Sequence, residues 1–314
     1  MIFLRTMLLK SVFILLIMGT ATACPVEGAE FDRDLGKFLE PYLPENADWA
    51  LAVYDLETGK QVVESGNSLG ERLVPASLMK LLVTGAVLDY AEHGGTLQKV
   101  VTVRKAVTVK GKKRRKKRKK VYKLARHSVK IRDKQELLGI LRDMNVHSRN
   151  GTAQHFADCL GGQRFGAPTT RAKGNRALSS FLDSLDSDAG KAIIADGCGL
   201  ARENRITSRF IANYLYLISK KPWFNDFRET LPRPGMEGTV KRIGYTDQRF
   251  RVKTGSLNDV FALAGYGVNA AGREFSFAFI VNAKNGRISD KRHSRGELLR
   301  LLAEGAPQQA SLIR

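Results

Sequence analysis

The sequence predicts an α+β fold: an antiparallel sheet drawn from both ends of the chain and flanked by terminal helices, with a helical subdomain inserted between. Three observations predict it. Strand-like segments gather near residues 49–64 and again after residue 249. Helical patterns fill the interval from about 133 to 245. The chain has no internal repeat, so one layered domain spanning residues 31–314 accommodates this order.

The elements follow in turn. Residues 31–47 read as a short amphipathic helix and a loop. Trp49 to Leu56 reads as a strand, Glu57-Thr58-Gly59 as a turn, and Gln61 to Glu64 as the returning strand of a hairpin. Pro75-Ala76-Ser77 opens a helix that runs from Leu78 to Ala91, with Ser77 near its cap. That helix is apolar nearly all round, so it belongs in the middle of the protein. Valines alternate with basic residues on both sides of Gly111 to Lys120, which reads as a β-ribbon with either a structured or a disordered charged tip. Residues 133–143, 148–161 and 175–185 read as helices, and Ala192 to Asp196 as a short apolar strand ending at Gly197-Cys198-Gly199. Thr207 caps a helix that ends at Ser219. Arg249 to Lys253, Val260 to Val268 and Phe275 to Val281 read as successive strands, and a helix over 289–302 closes the fold.

Charge is concentrated in one place. The net charge is +21, and the insertion at residues 104–134 carries 17 basic residues against Asp133 alone, a net +16. The rest of the chain is only mildly basic. The N-terminus reads as an export signal over residues 1–23: Arg5 and Lys10, a short apolar run over 11–19, then Thr20-Ala21-Thr22-Ala23. Met7 offers an alternative start. Two readings stand for Cys24: it follows an ordinary cleavage site, or it is the lipidated first residue of a lipoprotein. Export implies a periplasmic or otherwise extracytoplasmic address and permits disulfides. Cys159 and Cys198 are read either as free thiols or as one bridge. The five histidines have no ligand spacing, so no metal site is expected.

Three short motifs carry chemistry. In Ser77-Leu78-Met79-Lys80 a serine and a lysine lie three apart on one helix face. A serine needs a base within reach, and a lysine serves only where burial or a nearby cation favours its neutral form. Ser148-Arg149-Asn150 by itself reads as a helix cap. Lys253-Thr254-Gly255 ends a strand; its glycine lets a substrate backbone approach, and its lysine and threonine can hold a carboxylate.

In this order the motifs resemble the penicillin-binding proteins and serine β-lactamases. The chain is similar to the D-alanyl-D-alanine carboxypeptidase and endopeptidase family, the class C low-molecular-mass penicillin-binding proteins. Leu73 to Leu82, Met144 to Ala153, Cys159 to Gly162, Asp196 to Leu200, Leu231 to Val240 with Arg242, and Val252 to Leu257 leading to Tyr266 carry the likeness across about residues 46–285. Two departures stand out. Only Leu81 to His147 separates the first two motifs, where many members carry large accessory domains, and Arg149 replaces the usual Asp or Asn.

The resemblance implies a β-lactamase/transpeptidase-like fold and a mechanism. Ser77 attacks the carbonyl between two D-Ala residues of a peptidoglycan stem peptide, and Lys80 takes its proton. The oxyanion sits between the N–H groups of Ser77 and Ser256. Ser148, helped by Lys80 or Lys253, relays a proton to the leaving amine, Asn150 positions the substrate amide, and Lys253 and Thr254 hold the carboxylate, with no metal or organic cofactor needed. Lys80 and Lys253 in one cleft discourage each other's protonation. No Glu-x-x-Leu-Asn stretch lies between Asn150 and Lys253, so β-lactam antibiotics should acylate Ser77 and stay. The rival reading is a homologue that holds peptidoglycan without cutting it. The run Lys112 to Lys120 suits an anionic envelope surface, and export argues against nucleic acid.

Overall fold

Alternation of small and large side chains along the strands sets the architecture. The computed structural model describes residues 43–44, 46–109, 119–185, 192–284, 288 and 291–304. Strands β1 (Ala47–Asp55), β2 (Gln61–Gly66), β5 (Arg251–Ser256), β6 (Val260–Val268) and β7 (Glu274–Ala283) form one antiparallel sheet in the order β2-β1-β7-β6-β5. Register lines up Ala52, Ala278 and Ala264 across one face, and Leu51, Phe279 and Leu263 across the other. A side-chain period of two does this automatically.

The alanine face lets a helix lie close. Helix α5 (Ser208–Ser219) crosses it, tied down by Ser208 Oγ donating to Ala50 O (2.8 Å), Ser276 Oγ to Ala212 O (2.8 Å) and Tyr266 OH to Leu215 O (2.8 Å). The larger face is covered by the C-terminal helix α7 (Lys291–Glu304) through Leu298, Leu299 and Leu302. The helical region comprises α2 (Lys134–Val146), α3 (Asn150–Phe165), α4 (Arg171–Asp183) and α6 (Phe224–Thr230). At its centre runs α1 (Met79–Glu92), buried without a break from Met79 to Leu88. Asp133, Thr170 and Thr207 cap α2, α4 and α5 with side-chain bonds to Glu136 N, Lys173 N and Phe210 N.

The basic insertion is a two-stranded antiparallel ribbon, β3 (Gln98–Val109) with β4 (Lys119–Lys130). It joins the body at its root, where Ile131 N donates to Leu97 O (3.0 Å) and His155 Nε2 meets Gln98 O (2.8 Å). The export signal, Cys24, most of the residue 31–47 helix, and residues 110–118 of the tip lie outside the described residues.

The sheet, the buried first helix and the helical insert match the expected α+β fold. One local expectation does not hold. Ala192 to Asp196 is not a strand; it makes a single bridge, Ile193 to Arg205. Asn204 Oδ1 takes the N–H groups of Ala195 (2.8 Å) and Asp196 (3.2 Å), so side chains replace the ladder there. Of the two readings open for Cys159 and Cys198, the structure has free thiols. Cys159 faces His155 and Cys198 faces Asp196, each engaged locally. Ser77 lies beside the N-cap Leu78 of α1, as expected, inside a 3-10 turn, Ala76–Leu78, that leads into the helix.

Helices α3 and α4 meet through glycines. A Cβ on Gly161 would lie 2.3 Å from Gly174 N and 2.4 Å from Lys173 C. That neighbour is backbone and cannot swing aside. Gly161→Ala is therefore expected to lower stability by about 1–3 kcal/mol, read from denaturant midpoints; an unchanged midpoint would contradict the packing.

Candidate active site

The site is built where the 3-10 turn, the start of α3 and the end of edge strand β5 converge on the buried amine of Lys80. Lys80 is the first polar residue of a helix buried from Met79 to Leu88, and its exposure is 0%. Three oxygens surround Nζ: Ser77 Oγ at 2.8 Å, Asn150 Oδ1 at 2.8 Å and Cys198 O at 2.5 Å. With the amine neutral, two hydrogens go to Asn150 and Cys198, and the lone pair is left for the Ser77 hydroxyl hydrogen. Burial drives the Lys80 pKa from 10.5 down to about 8, against the opposing pull of Cys198 and Asp196.

Lys253 lies opposite, also with 0% exposure. Its Nζ donates to Ser148 Oγ (3.1 Å) and Thr254 O (2.9 Å). Burial, then the charges of Lys80 and Arg295, push its pKa well below the ordinary lysine value. Ser148 is aimed by strain: its φ of 55° is left-handed, an uncommon state for a residue with a Cβ. Arg149 points outward and pairs with Asp143 (Nε to Oδ2, 3.1 Å).

Close backbone approach holds the serine turn. A Cβ on Gly255 would lie 2.6 Å from Pro75 O, so β5 runs directly against the turn bearing Ser77 and brings Ser256 alongside. On the other side a Cβ on Gly199, at φ +85°, would lie 1.9 Å from Ala76 O. Thr254 Oγ1 donates to Thr239 Oγ1 (2.8 Å). An open cavity of about 510 Å³, lined by Leu200, Arg202, Ser256, Leu257 and Asn258, adjoins the cluster.

All eight residues singled out from the three motifs and their flank, Ser77, Lys80, Ser148, Asn150, Lys253, Thr254, Gly255 and Ser256, thus fall in one neighbourhood. Three participants went unmarked. Arg295 of α7, with burial lowering its pKa to about 10, donates through Nη2 to Gly255 O and to Ser256 Oγ (2.8 Å). Thr239 meets Thr254. The Cys198 carbonyl meets Lys80. An arginine on the sheet-facing side of an amphipathic helix is a faint sequence signal for the first; a backbone carbonyl leaves none.

The chain is similar to known proteins in family and in fold. Residues 96–304 match the family model described as D-Ala-D-Ala carboxypeptidase 3 (S13). D-alanyl-D-alanine carboxypeptidase DacB of Haemophilus influenzae is 28% identical over 165 residues, covering 51% of this chain and 34% of that protein. D-alanyl-D-alanine carboxypeptidase of an Actinomadura species is 29% identical over 159 residues, covering 48% of this chain and 29% of that protein. The matched regions span about a third of the length of these curated relatives. Among solved structures, penicillin-binding protein 4 of Haemophilus influenzae superposes with a TM-score of 0.66 at 15% identity, covering 85% of this chain and 99% of that one. A point mutant of PBP-A, solved as its acyl-enzyme complex with penicillin G, gives 0.57 at 16% identity over 88% of this chain and 94% of that one.

Left-handed backbone at a non-glycine residue is costly, by about 1–3 kcal/mol. Ser148→Gly is therefore expected to melt no lower than the original protein, although it removes the hydroxyl that Lys253 binds. A clear drop in melting temperature would show that the Ser148 side chain, not its strain, dominates there.

Proposed function

Because the chain belongs to the D-Ala-D-Ala carboxypeptidase 3 (S13) family, we propose that it is a serine-type D-Ala-D-Ala peptidase acting on peptidoglycan stem peptides through an acyl-enzyme on Ser77. The observation that carries this reading is the Lys80 amine, fully buried, with its pKa lowered to about 8, and 2.8 Å from the Ser77 hydroxyl.

The geometry supports the following steps. Neutral Lys80 accepts the Ser77 proton as Oγ attacks the carbonyl carbon. The N–H groups of Ser77 and Ser256 receive the developing oxyanion, and the contact between Gly255 and the serine turn keeps these two donors near each other. Ser148 passes its hydroxyl proton to the departing amine and is reprotonated by Lys80, which holds the Ser77 proton, or by Lys253, whose Nζ is 3.1 Å from its oxygen. Asn150 is held by Lys80 through Oδ1, which leaves its amide N–H groups for the substrate backbone. Lys253 and Thr254 face the terminal carboxylate. Water then releases the acyl group. β-Lactams enter as acylating mimics of the same peptide.

Further features are part of the proposal. Residues 1–23 direct the chain out of the cytoplasm, with Cys24 either an ordinary new terminus or a lipid anchor. The run Lys112 to Lys120 is drawn to an anionic envelope surface. Among the described residues, no helix is long and apolar enough to cross a membrane.

A fluorescent penicillin should label the protein stably, and Ser77→Ala should abolish the label; a folded protein that takes no label would favour the rival in which peptidoglycan is bound and not cut. Mass analysis of products from sacculi separates terminal trimming from cross-link cleavage. The labelling rate should fall about tenfold per pH unit below the Lys80 value of about 8 and level off above it, since only the neutral amine accepts the proton. A flat profile would exclude Lys80 as the base. Deleting Lys112 to Lys120 should weaken salt-sensitive association with envelope fractions while leaving labelling intact; unchanged association would remove the targeting role.

A further inference from the structure

The turn over residues 196–201 is organised by one carboxylate. Asp196 is 2% exposed. Its Oδ1 accepts from Cys198 N (3.1 Å), Gly199 N (2.6 Å) and Asn204 Nδ2 (3.0 Å). Its Oδ2 accepts from Leu200 N (3.1 Å), Ala201 N (2.7 Å) and Cys198 Sγ (3.4 Å). Burial alone would raise its pKa, but these donors outweigh burial and lower it. The carboxylate is therefore ionised and saturated, and it dictates the path of the turn.

That path has two consequences at the site. The Cys198 carbonyl is delivered 2.5 Å from Lys80 Nζ. Gly199 is pressed so closely onto the serine turn that a Cβ there would lie 1.9 Å from Ala76 O and 2.8 Å from Ser77 N. One turn thus bears on both the hydroxyl-bearing backbone and the amine that must face it. We propose that Asp196 is the positioning residue of the Ser77–Lys80 pair, holding the Cys198 carbonyl as a fixed acceptor for Lys80 and Gly199 as a stop behind Ser77. The proposal rests on the reading that Ser77 and Lys80 carry out acyl transfer.

The carbonyl matters because of the hydrogen count on the amine. A neutral amine has two hydrogens, and Asn150 Oδ1 with Cys198 O accepts both. The lone pair is then aimed at Ser77 and cannot rotate away. Without the carbonyl, one hydrogen is unplaced and the amine is free to turn. The charged or titratable neighbours of Lys80 are Asp196 and the Cys198 thiol from this turn and Lys253 from β5. Asp196 raises the Lys80 pKa through its negative charge, so neutralising it lowers that pKa.

The test is the acylation rate with a fluorescent penicillin, followed from about pH 6 to about pH 10, for the full chain, Asp196→Asn and Asn204→Ser. Asp196→Asn is expected to acylate at least about tenfold more slowly on the alkaline plateau and to move the acid limb to lower pH. A limb that stays where the unmodified protein has it, or a plateau rate within about threefold of the original, overturns the proposal. If Asp196→Asn does not fold, Asn204→Ser decides. It loosens the clamp but keeps the carboxylate, so a slower plateau with an unmoved limb is expected, and an unchanged rate in the folded variant overturns the proposal. An original protein that takes no label would instead defeat the acyl-transfer reading itself.

Discussion

Everything at the site depends on taking the Lys80 amine out of water. An ammonium in a dry interior loses hydration that nearby oxygens only partly restore. Here the loss is visible as a pKa near 8 in place of 10.5, equivalent to about 3 kcal/mol against the charged form. That penalty is useful, because it leaves an appreciable neutral fraction at physiological pH. The burial has a structural source: α1 is enclosed by α5, the helical insert and the alanine face of the sheet, so a residue one position into that helix has no route to solvent.

The same constraint explains the tight backbone around the amine. Two glycines let chain segments close to within contact of the serine turn, Gly255 from the sheet and Gly199 from the turn after residue 196. Ala76 at φ 48° and Ser148 at φ 55° are both in left-handed conformations beside the cluster. Strain of this kind persists only where surrounding packing over-determines it, and each case aims a hydroxyl, Ser77 or Ser148, toward a lysine. Arg295 completes the cationic surroundings from the far side of the sheet, and it has no carboxylate partner among the described residues.

Much of this was legible in the chain. The strand-like runs at β1, β6 and β7 were legible, and the unbroken apolar run identified α1 as the central helix. The three motifs were legible because side chains at fixed spacing carry them. What was not legible depends on backbone atoms and on distant partners. The Cys198 carbonyl has no sequence signature. Asp196 looked like the end of a strand, whereas its carboxylate and Asn204 consume the N–H groups a ladder would need. Helix α6, of seven residues, is too short for its periodicity to show. The cysteine pair could not be decided from spacing, because both thiols are occupied by neighbours close in sequence, His155 and Asp196.

The most direct measurement is the titration of Lys80 itself, observed through the isotope-labelled ε-methylene resonance of its side chain and assigned by comparison with Lys80→Arg. A midpoint near pH 8 is expected. A midpoint at the ordinary lysine value of 10.5 would mean that the amine stays charged and cannot accept the Ser77 proton.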